Sequence, residues 1–239
     1  MIRKIFGEGL LSGRQVFYRT FPLALLMFGI TQLLLMPSMF RLVQMMLWTQ
    51  NQSWSGSMLA LSLLNFILLS FSFLLFGLGS TLGLIFTASC HQKKPCSWDL
   101  AIKLMSSVLP QVLLSGLISG FLLFIGFSIH PIFAFVIATF LSLYLPIVVF
   151  ESVSAFQGLK LSIKRSSKAL VYCALVISLI WLFMFGSPLL IHFIGDFAFP
   201  NFTQLPWIQE VIQTLVDAAL FPFSQGLVIA LYFNALYRV

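Results

Sequence analysis

The chain has 239 residues, of which 60% are hydrophobic and only 8% charged, and its formal net charge is +7. Soluble domains average about 45–50% apolar and about 25% charged residues, so this composition excludes a water-soluble fold. The stretches 42–92, 104–150 and 169–195 contain no Asp, Glu, Lys or Arg, and roughly 20 apolar residues suffice to cross a bilayer. The sequence therefore predicts an all-α integral membrane protein.

The apolar segments predict six transmembrane helices in a single membrane domain, 1–239. The first apolar run begins at Phe21. It is too long for the core of a signal peptide and no small-residue cleavage site follows it, so we interpret it as a span. In chain order, the predicted spans are 21–40, 58–88, 106–127, 132–150, 170–194 and 215–236.

The distribution of lysine and arginine predicts the orientation of these spans. With six spans, Arg41 alone falls on one side of the membrane, and all the other basic residues fall on the opposite side. Because short cytoplasmic loops are enriched in Lys and Arg, we expect both termini to be cytoplasmic. Asp196 and Glu210 then lie on the outer side.

The segment 150–170, "FESVSAFQGLKLSIKRSSKAL", connects spans four and five and is amphipathic. At 100° per residue, its basic residues occupy one arc and Phe156, Leu159 and Ile163 occupy another. We predict a helix in the cytoplasmic interface whose cations contact anionic lipid headgroups, at about 1 kcal/mol each. A third strip of small residues, spaced by four, predicts close packing against a span. The headgroup-contact residues are Lys160, Lys164, Arg165 and Lys168, and the packing residues are Ser154, Gly158, Ser162 and Ser166.

This arrangement predicts three pseudo-repeats around a pseudo-threefold axis. Each unit would consist of an interfacial amphipathic helix followed by a transmembrane hairpin. When the units are aligned, each begins with an aromatic residue, and a small residue follows at the same position. The units are roughly 1–90, 97–150 and 152–239, and the aligned residues are Phe6, Trp98 and Phe156, with Gly9, Ala101 and Gly158.

The run "LPIVVFESVSAFQGLKLSIKRSSKAL", in which a span ends with Pro146 and Glu151 and passes into the amphipathic helix, resembles the YciC-type family of uncharacterised bacterial inner-membrane proteins. The membrane domain of some glycerophosphodiester phosphodiesterases has a similar passage, and the terminal "LYFNALYRV" resembles the sixth span of the family. The resemblance implies a multi-pass protein of the bacterial cytoplasmic membrane with six helices. It implies no established activity, because the family itself has none. The chemistry of the phosphodiesterases is not carried over, because this sequence contains no phosphodiesterase catalytic domain.

Two carboxylates are candidate functional polar residues. An ionisable residue inside a span is a functional-site hypothesis by default, which applies to Asp217. However, residues 218–237 can span the membrane alone, so we expect Asp217 near the outer surface. Glu151 is expected to cap the following helix and to pair with a nearby cation. Isolated polar residues within spans are expected to form interhelical hydrogen bonds: Gln32, Asn65, Gln111 and Gln225.

The segment "SCHQKKPCSW" contains potential soft metal ligands in Cys90, His91 and Cys96. A structural zinc site uses four ligands, and no fourth is nearby in sequence. Lys93 and Lys94 would also repel a cation. We therefore predict no metal and no cofactor. Disulfides are not expected either, because all three cysteines fall on the predicted cytoplasmic side, where thiols stay reduced.

The pattern of polar residues argues against an enzyme, since no nucleophile, base or paired carboxylates converge in the sequence. Nucleic-acid binding is not expected either, because membrane topology accounts for the cations. The prediction is a non-enzymatic envelope or lipid-organising protein, or a scaffold for membrane partners. The alternative is a transporter or channel for a small or lipid-like solute, in which Pro146, Pro188 and Pro222 would break spans around a polar cavity.

Overall fold

The computed structural model describes residues 2–49, 75, 77–94, 96–198 and 206–236, and in 31–49 it describes the backbone alone. These residues are helical almost throughout and include no strand, which confirms the predicted all-α class. The helices are α1 (Ile2–Thr49), α2 (described over 77–91), α3 (Trp98–Ile129), α4 (Pro131–Leu141), α5 (Tyr144–Glu151), α6 (Ala155–Lys168), α7 (Leu170–Ala198) and α8 (Pro206–Leu236).

Within the described residues, four helical stretches are long and apolar enough to cross a membrane: Trp98–Leu123, Pro131–Glu151, Leu170–Gly195 and Ile208–Ala235. They overlap the last four predicted spans, although Trp98–Leu123 and Ile208–Ala235 begin eight and seven residues before the predicted bounds. The predicted span 21–40 lies within α1, and only its first half has described side chains. Most of the predicted span 58–88 lies outside the described residues. The four apolar helices are compatible with an integral membrane protein.

A separate helix ahead of a span is present in the third predicted unit but not in the first two. The α6 helix is separated from α5 by Ser152, whose φ of 50° is left-handed, and by Ser154, which caps α6. By contrast, α1 and α3 each run without interruption through the junctions at which we expected a break. The expected interfacial helices of these units are therefore continuous with the apolar segments that follow. The predicted repeats are not confirmed.

The fourth predicted span is interrupted at Ser142 and Leu143, between α4 and α5. Pro146 accounts for this break, because proline has no N–H for the carbonyl four residues earlier and its ring clashes with that carbonyl. The other two prolines do not break their helices as the transporter alternative supposed, since Pro188 and Pro222 lie inside the unbroken helices α7 and α8. Of the three prolines, only Pro146 breaks a helix.

The packing between α1 and α8 depends on glycines that let the two backbones approach closely. A Cβ added at Gly9 would lie 2.9 Å from Leu227 Cα, and one at Gly13 would lie 2.8 Å from Phe223 Cα. On the α8 side, Gly226 lies against the backbone of Gly9, where an added Cβ would collide with the Gly9 carbonyl oxygen. The sequence "GLLSG" in α1 is a small-xxx-small motif, which favours such close helix pairs.

Two clusters of buried side chains hold the remaining helices together. One joins α1, α5, α7 and α8 through residues that include Ile5, Ile147, Val176 and Leu231. The other joins α1, α2, α3 and α5, and its members include Val16, Phe86, Ala101, Tyr144 and Val148. Because α5 contributes to both clusters, it is held firmly in the bundle. The position at which α6 begins, just after α5, is therefore also held in place.

Candidate functional site

The beginning of α6 is fixed by two side chains that bind its free backbone N–H groups. Ser154 Oγ accepts a hydrogen bond from Gln157 N at 3.4 Å, and Gln111 Oε1 of α3 accepts one from Ala155 N at 3.0 Å. The first N–H groups of a helix have no partner within the helix. Ser154 is therefore the N-cap, and the expectation that Glu151 caps this helix is wrong, because Glu151 is the last residue of α5.

The small-residue face of α6 packs against α4 and α5. The residues buried on this face are Ala155, Gly158, Ser162 and Ser166. A side chain at Gly158 would collide with Val148, and Ser162 Oγ donates a hydrogen bond to the carbonyl of Phe140 at 2.7 Å. Ser154 was expected in the same packing strip but is exposed, because it precedes the first turn of the helix.

The opposite face of α6 is exposed and combines positive charge with apolar surface. Lys160, Lys164 and Lys168 are all exposed. Beside them, Phe156 is 67% and Ile163 is 45% exposed. A helix with a cationic strip next to an apolar strip is typical of helices that lie in the membrane interface, with the apolar side chains in the acyl region and the lysines at the headgroups.

Arg165 does not belong to this exposed face, contrary to its predicted headgroup contact. Its guanidinium makes a bidentate pair with Glu151, in which Nη1 donates to Oε1, and Nη2 donates to Oε2 at 3.0 Å. The side chains of Arg165 and Glu151 are only 15% and 24% exposed. Within the cationic arc, Arg165 is the residue next to the small-residue face that packs on the bundle. It therefore forms an ion pair with the bundle, whereas the three lysines remain exposed.

Tyr232 of α8 completes this polar site. Its hydroxyl donates a hydrogen bond to Glu151 Oε1 at 3.0 Å, across 81 positions of sequence, and its ring is buried. The Glu151 carboxylate therefore accepts from α6 and α8 together. A carboxylate at the C-terminal end of a helix faces the negative end of the helix dipole, and Arg165 compensates for this. The same hydrogen bonding raises the pKa of Arg165, which keeps the guanidinium charged.

Asp217 lies in a different polar cluster, between α7 and α8. Gln213 Nε2 donates to Asp217 Oδ1 at 2.7 Å and to Ser187 Oγ at 2.9 Å. His192 is exposed. At 1.5 Å rise per residue, Asp217 lies about 22 Å along α8 from Tyr232. Glu151 of α5 contacts α8 at Tyr232, so the two candidate carboxylates meet α8 at points about 22 Å apart, and the structure does not bring them together.

The Cys90–Cys96 segment forms no group of three or more metal-binding side chains among the residues that the structure describes. His91 instead contacts α1 and α8. Its Nδ1 lies 3.3 Å from Ser12 Oγ, and its ring stacks on Phe233 at a centroid distance of 5.0 Å. Cys96 is buried, and this desolvation raises the pKa of its thiol.

Sequence reasoning missed the contributions of Tyr232, Phe233 and Arg19. Arg19 donates to the carbonyl of Cys96 at 2.8 Å and lies over the ring of Phe86, so it attaches α1 to the segment after α2. For Tyr232, the sequence offered one weak indication: a tyrosine within an apolar helix is expected to find a hydrogen-bond partner for its hydroxyl when it is buried. No pattern in the sequence indicates which residue that partner is.

Comparison of the chain with protein-family models, curated proteins and solved structures found no match. The resemblance to the YciC-type family therefore stays a prediction. The function of the chain has to be inferred from the geometry of α6 and of the residues that attach it to the bundle.

Proposed function

We propose that this chain is a non-enzymatic protein of the bacterial cytoplasmic membrane that organises anionic lipid, or partner membrane proteins, at the cytoplasmic leaflet. The single observation that carries the proposal is α6, a separate helix with one buried face of small residues and one exposed face that is both cationic and apolar. The same proposal includes six spans in three units, cytoplasmic termini and membership of the YciC-type family.

The exposed face of α6 suits a leaflet that contains anionic lipid. Each cation near such a surface contributes about 1 kcal/mol, so Lys160, Lys164 and Lys168 together contribute about 3 kcal/mol. Phe156 and Ile163 add apolar surface that would enter the acyl region. With this arrangement α6 would lie parallel to the membrane plane and collect anionic lipids around the protein.

The Glu151–Arg165–Tyr232 site has a supporting role in this proposal. It ties α6 to α5 and to α8 through hydrogen bonds from Arg165 and Tyr232 to one carboxylate. Since the buried face of α6 is also packed against α4 and α5, the helix cannot turn freely about its axis. The lysines are therefore held on the outward side before any lipid binds.

The proposal can be tested by measuring which lipids the protein retains. The full chain would be purified from membranes that contain phosphatidylethanolamine and phosphatidylglycerol, and the bound lipids would be quantified by mass spectrometry. We expect the triple variant K160Q/K164Q/K168Q to retain less phosphatidylglycerol than wild type. The matched control K160R/K164R/K168R keeps the charge and should behave as wild type. Equal retention by the glutamine variant and wild type would refute the proposal.

A transporter or channel is the alternative, and the polar cluster of Ser187, Gln213 and Asp217 within the apolar helices favours it. In α8, buried Gln225 Oε1 also has no hydrogen-bond partner within the described structure. A screen of proteoliposomes for solute-driven currents would test this function. Currents that are present in wild type and lost in D217N would support the alternative and contradict the passive lipid-organising protein.

A further inference from the structure

A cavity of about 440 Å³ lies where the end of α2 meets the end of α8. It is lined by His91, Gln92, Lys94 and Phe233. Sites for small ligands typically measure about 300–1,000 Å³ and combine apolar walls with a few polar groups. This cavity falls within that size range, but it opens broadly to the surface and is lined mainly by polar groups: an imidazole, an amide and an ammonium group beside one aromatic ring.

The turn that ends α2 gives the cavity its cationic group. Lys93 adopts a left-handed conformation, with φ of 57°. Lys94 N donates to the carbonyl of Ser89 at 2.9 Å, and Lys93 N donates to that of Cys90 at 3.0 Å. This pair of bonds is the Schellman motif, which satisfies the last carbonyls of a helix. Because the cavity lies at the C-terminal, negative ends of α2 and α8, a bound anion depends on the positive charge of Lys94 to offset the helix dipoles.

The orientation of His91 is fixed from two sides. Ser12 Oγ lies 3.3 Å from Nδ1, and the ring lies parallel to Phe233, with an interplanar angle of 2°. These contacts leave Nε2 as the ring nitrogen available to a ligand. When Ser12 donates to Nδ1, Nε2 carries the proton and is itself a donor.

We propose that this cavity binds a phosphate group, from either a lipid headgroup or free inorganic phosphate. His91 Nε2, the Gln92 amide and the Lys94 ammonium are all able to donate hydrogen bonds, and no carboxylate is among the described residues that line the cavity. Glu8, the acidic residue of the neighbouring α1, is held by Lys4 and Asn234. The Phe233 ring suits the glycerol end of a lipid. The site is separate from the exposed face of α6, so either proposal can fail while the other holds.

The test is calorimetric titration of the purified full chain in a neutral detergent. The probes are dihexanoyl phosphatidylglycerol, dihexanoyl phosphatidylcholine and inorganic phosphate. We expect saturable binding of a phosphate-bearing probe, weakened roughly tenfold by Lys94→Gln because a charged hydrogen bond is lost. Lys93→Gln is the matched control, since Lys93 is an exposed neighbour that does not line the cavity. The affinity of this variant should stay within about twofold of wild type, because an exposed charge that makes no contact with the ligand interacts with it only weakly through water.

Each outcome of the titration has a definite meaning. If inorganic phosphate binds and displaces the lipid, the cavity accepts a free phosphate. If only phosphatidylglycerol binds, the cavity requires the headgroup. Lack of saturable binding, or an equal loss of affinity in Lys93→Gln and Lys94→Gln, would overturn the proposal, because a diffuse basic surface would then account for the attraction. A His91→Gln variant with unchanged affinity would overturn the proposed role of the imidazole.

Discussion

The Glu151–Arg165–Tyr232 site allows a quantitative prediction about the attachment of α6. The substitution Glu151→Gln keeps the size of the side chain and removes its charge. It leaves the guanidinium of Arg165, which is 15% exposed, without an anionic partner. Removing one partner of a buried hydrogen bond costs about 1–3 kcal/mol, and more when the remaining group is charged. Since both side chains retain some exposure to solvent, we expect a loss of about 2 kcal/mol in the free energy of unfolding.

The assay is thermal unfolding of the full chain in detergent, followed by circular dichroism. For a chain of this length, a loss of about 2 kcal/mol corresponds to a decrease in Tm of about 4–8 °C. Tyr232→Phe removes one hydrogen bond to a charged acceptor and should cost about 1–2 kcal/mol. Arg165→Gln should cost about as much as Glu151→Gln, because it leaves the carboxylate unpaired.

A double-mutant cycle separates the ion pair from general disruption. The variant E151Q/R165Q should be less destabilised than the sum of the single variants, with a coupling energy of about 0.5–3 kcal/mol. As a control, Lys164→Gln changes an exposed cation on the same helix and should leave Tm within about 2 °C, since exposed surface substitutions change stability by about 0.5 kcal/mol or less. Strictly additive losses for Glu151 and Arg165 would refute the reasoning, because residues that form one bidentate pair must be coupled.

Two further predictions concern the helix packing and the thiols. Gly13→Ala places a Cβ 2.8 Å from Phe223 Cα and should destabilise the protein by about 1–3 kcal/mol. At Gly7 no atom lies within 4 Å of an added Cβ, so Gly7→Ala should stabilise α1 by up to about 1 kcal/mol; equal shifts in Tm for the two variants would contradict the proposed close contact. Maleimide should modify half-buried Cys90 well before Cys96, because Cys96 is buried and its thiol pKa is raised. Peptide mass spectrometry after timed labelling measures this order, and faster labelling of Cys96 would contradict the described burial.

The sequence alone determined the helical class, the positions of the last four apolar helices and the amphipathic character of α6. These are local properties, because hydropathy over about 20 residues and the period of 3.6 residues are read from neighbouring positions. Pro146, Pro188 and Pro222 mark the limit of this local reasoning. Only the first breaks its helix, since proline within a membrane helix is tolerated where neighbouring groups compensate for the lost hydrogen bond.

Only the tertiary structure decided which charges of α6 face outward. By sequence, Arg165 belongs to the same cationic arc as Lys160 and Lys164, and although it lies at the edge of that arc, its position alone does not reveal its partner. Its role is set by Glu151 on α5 and by Tyr232 on α8, which approach α6 only after the helices have packed. The physical reason is that helical periodicity fixes which residues share a face, whereas the partner of that face depends on contacts between distant segments.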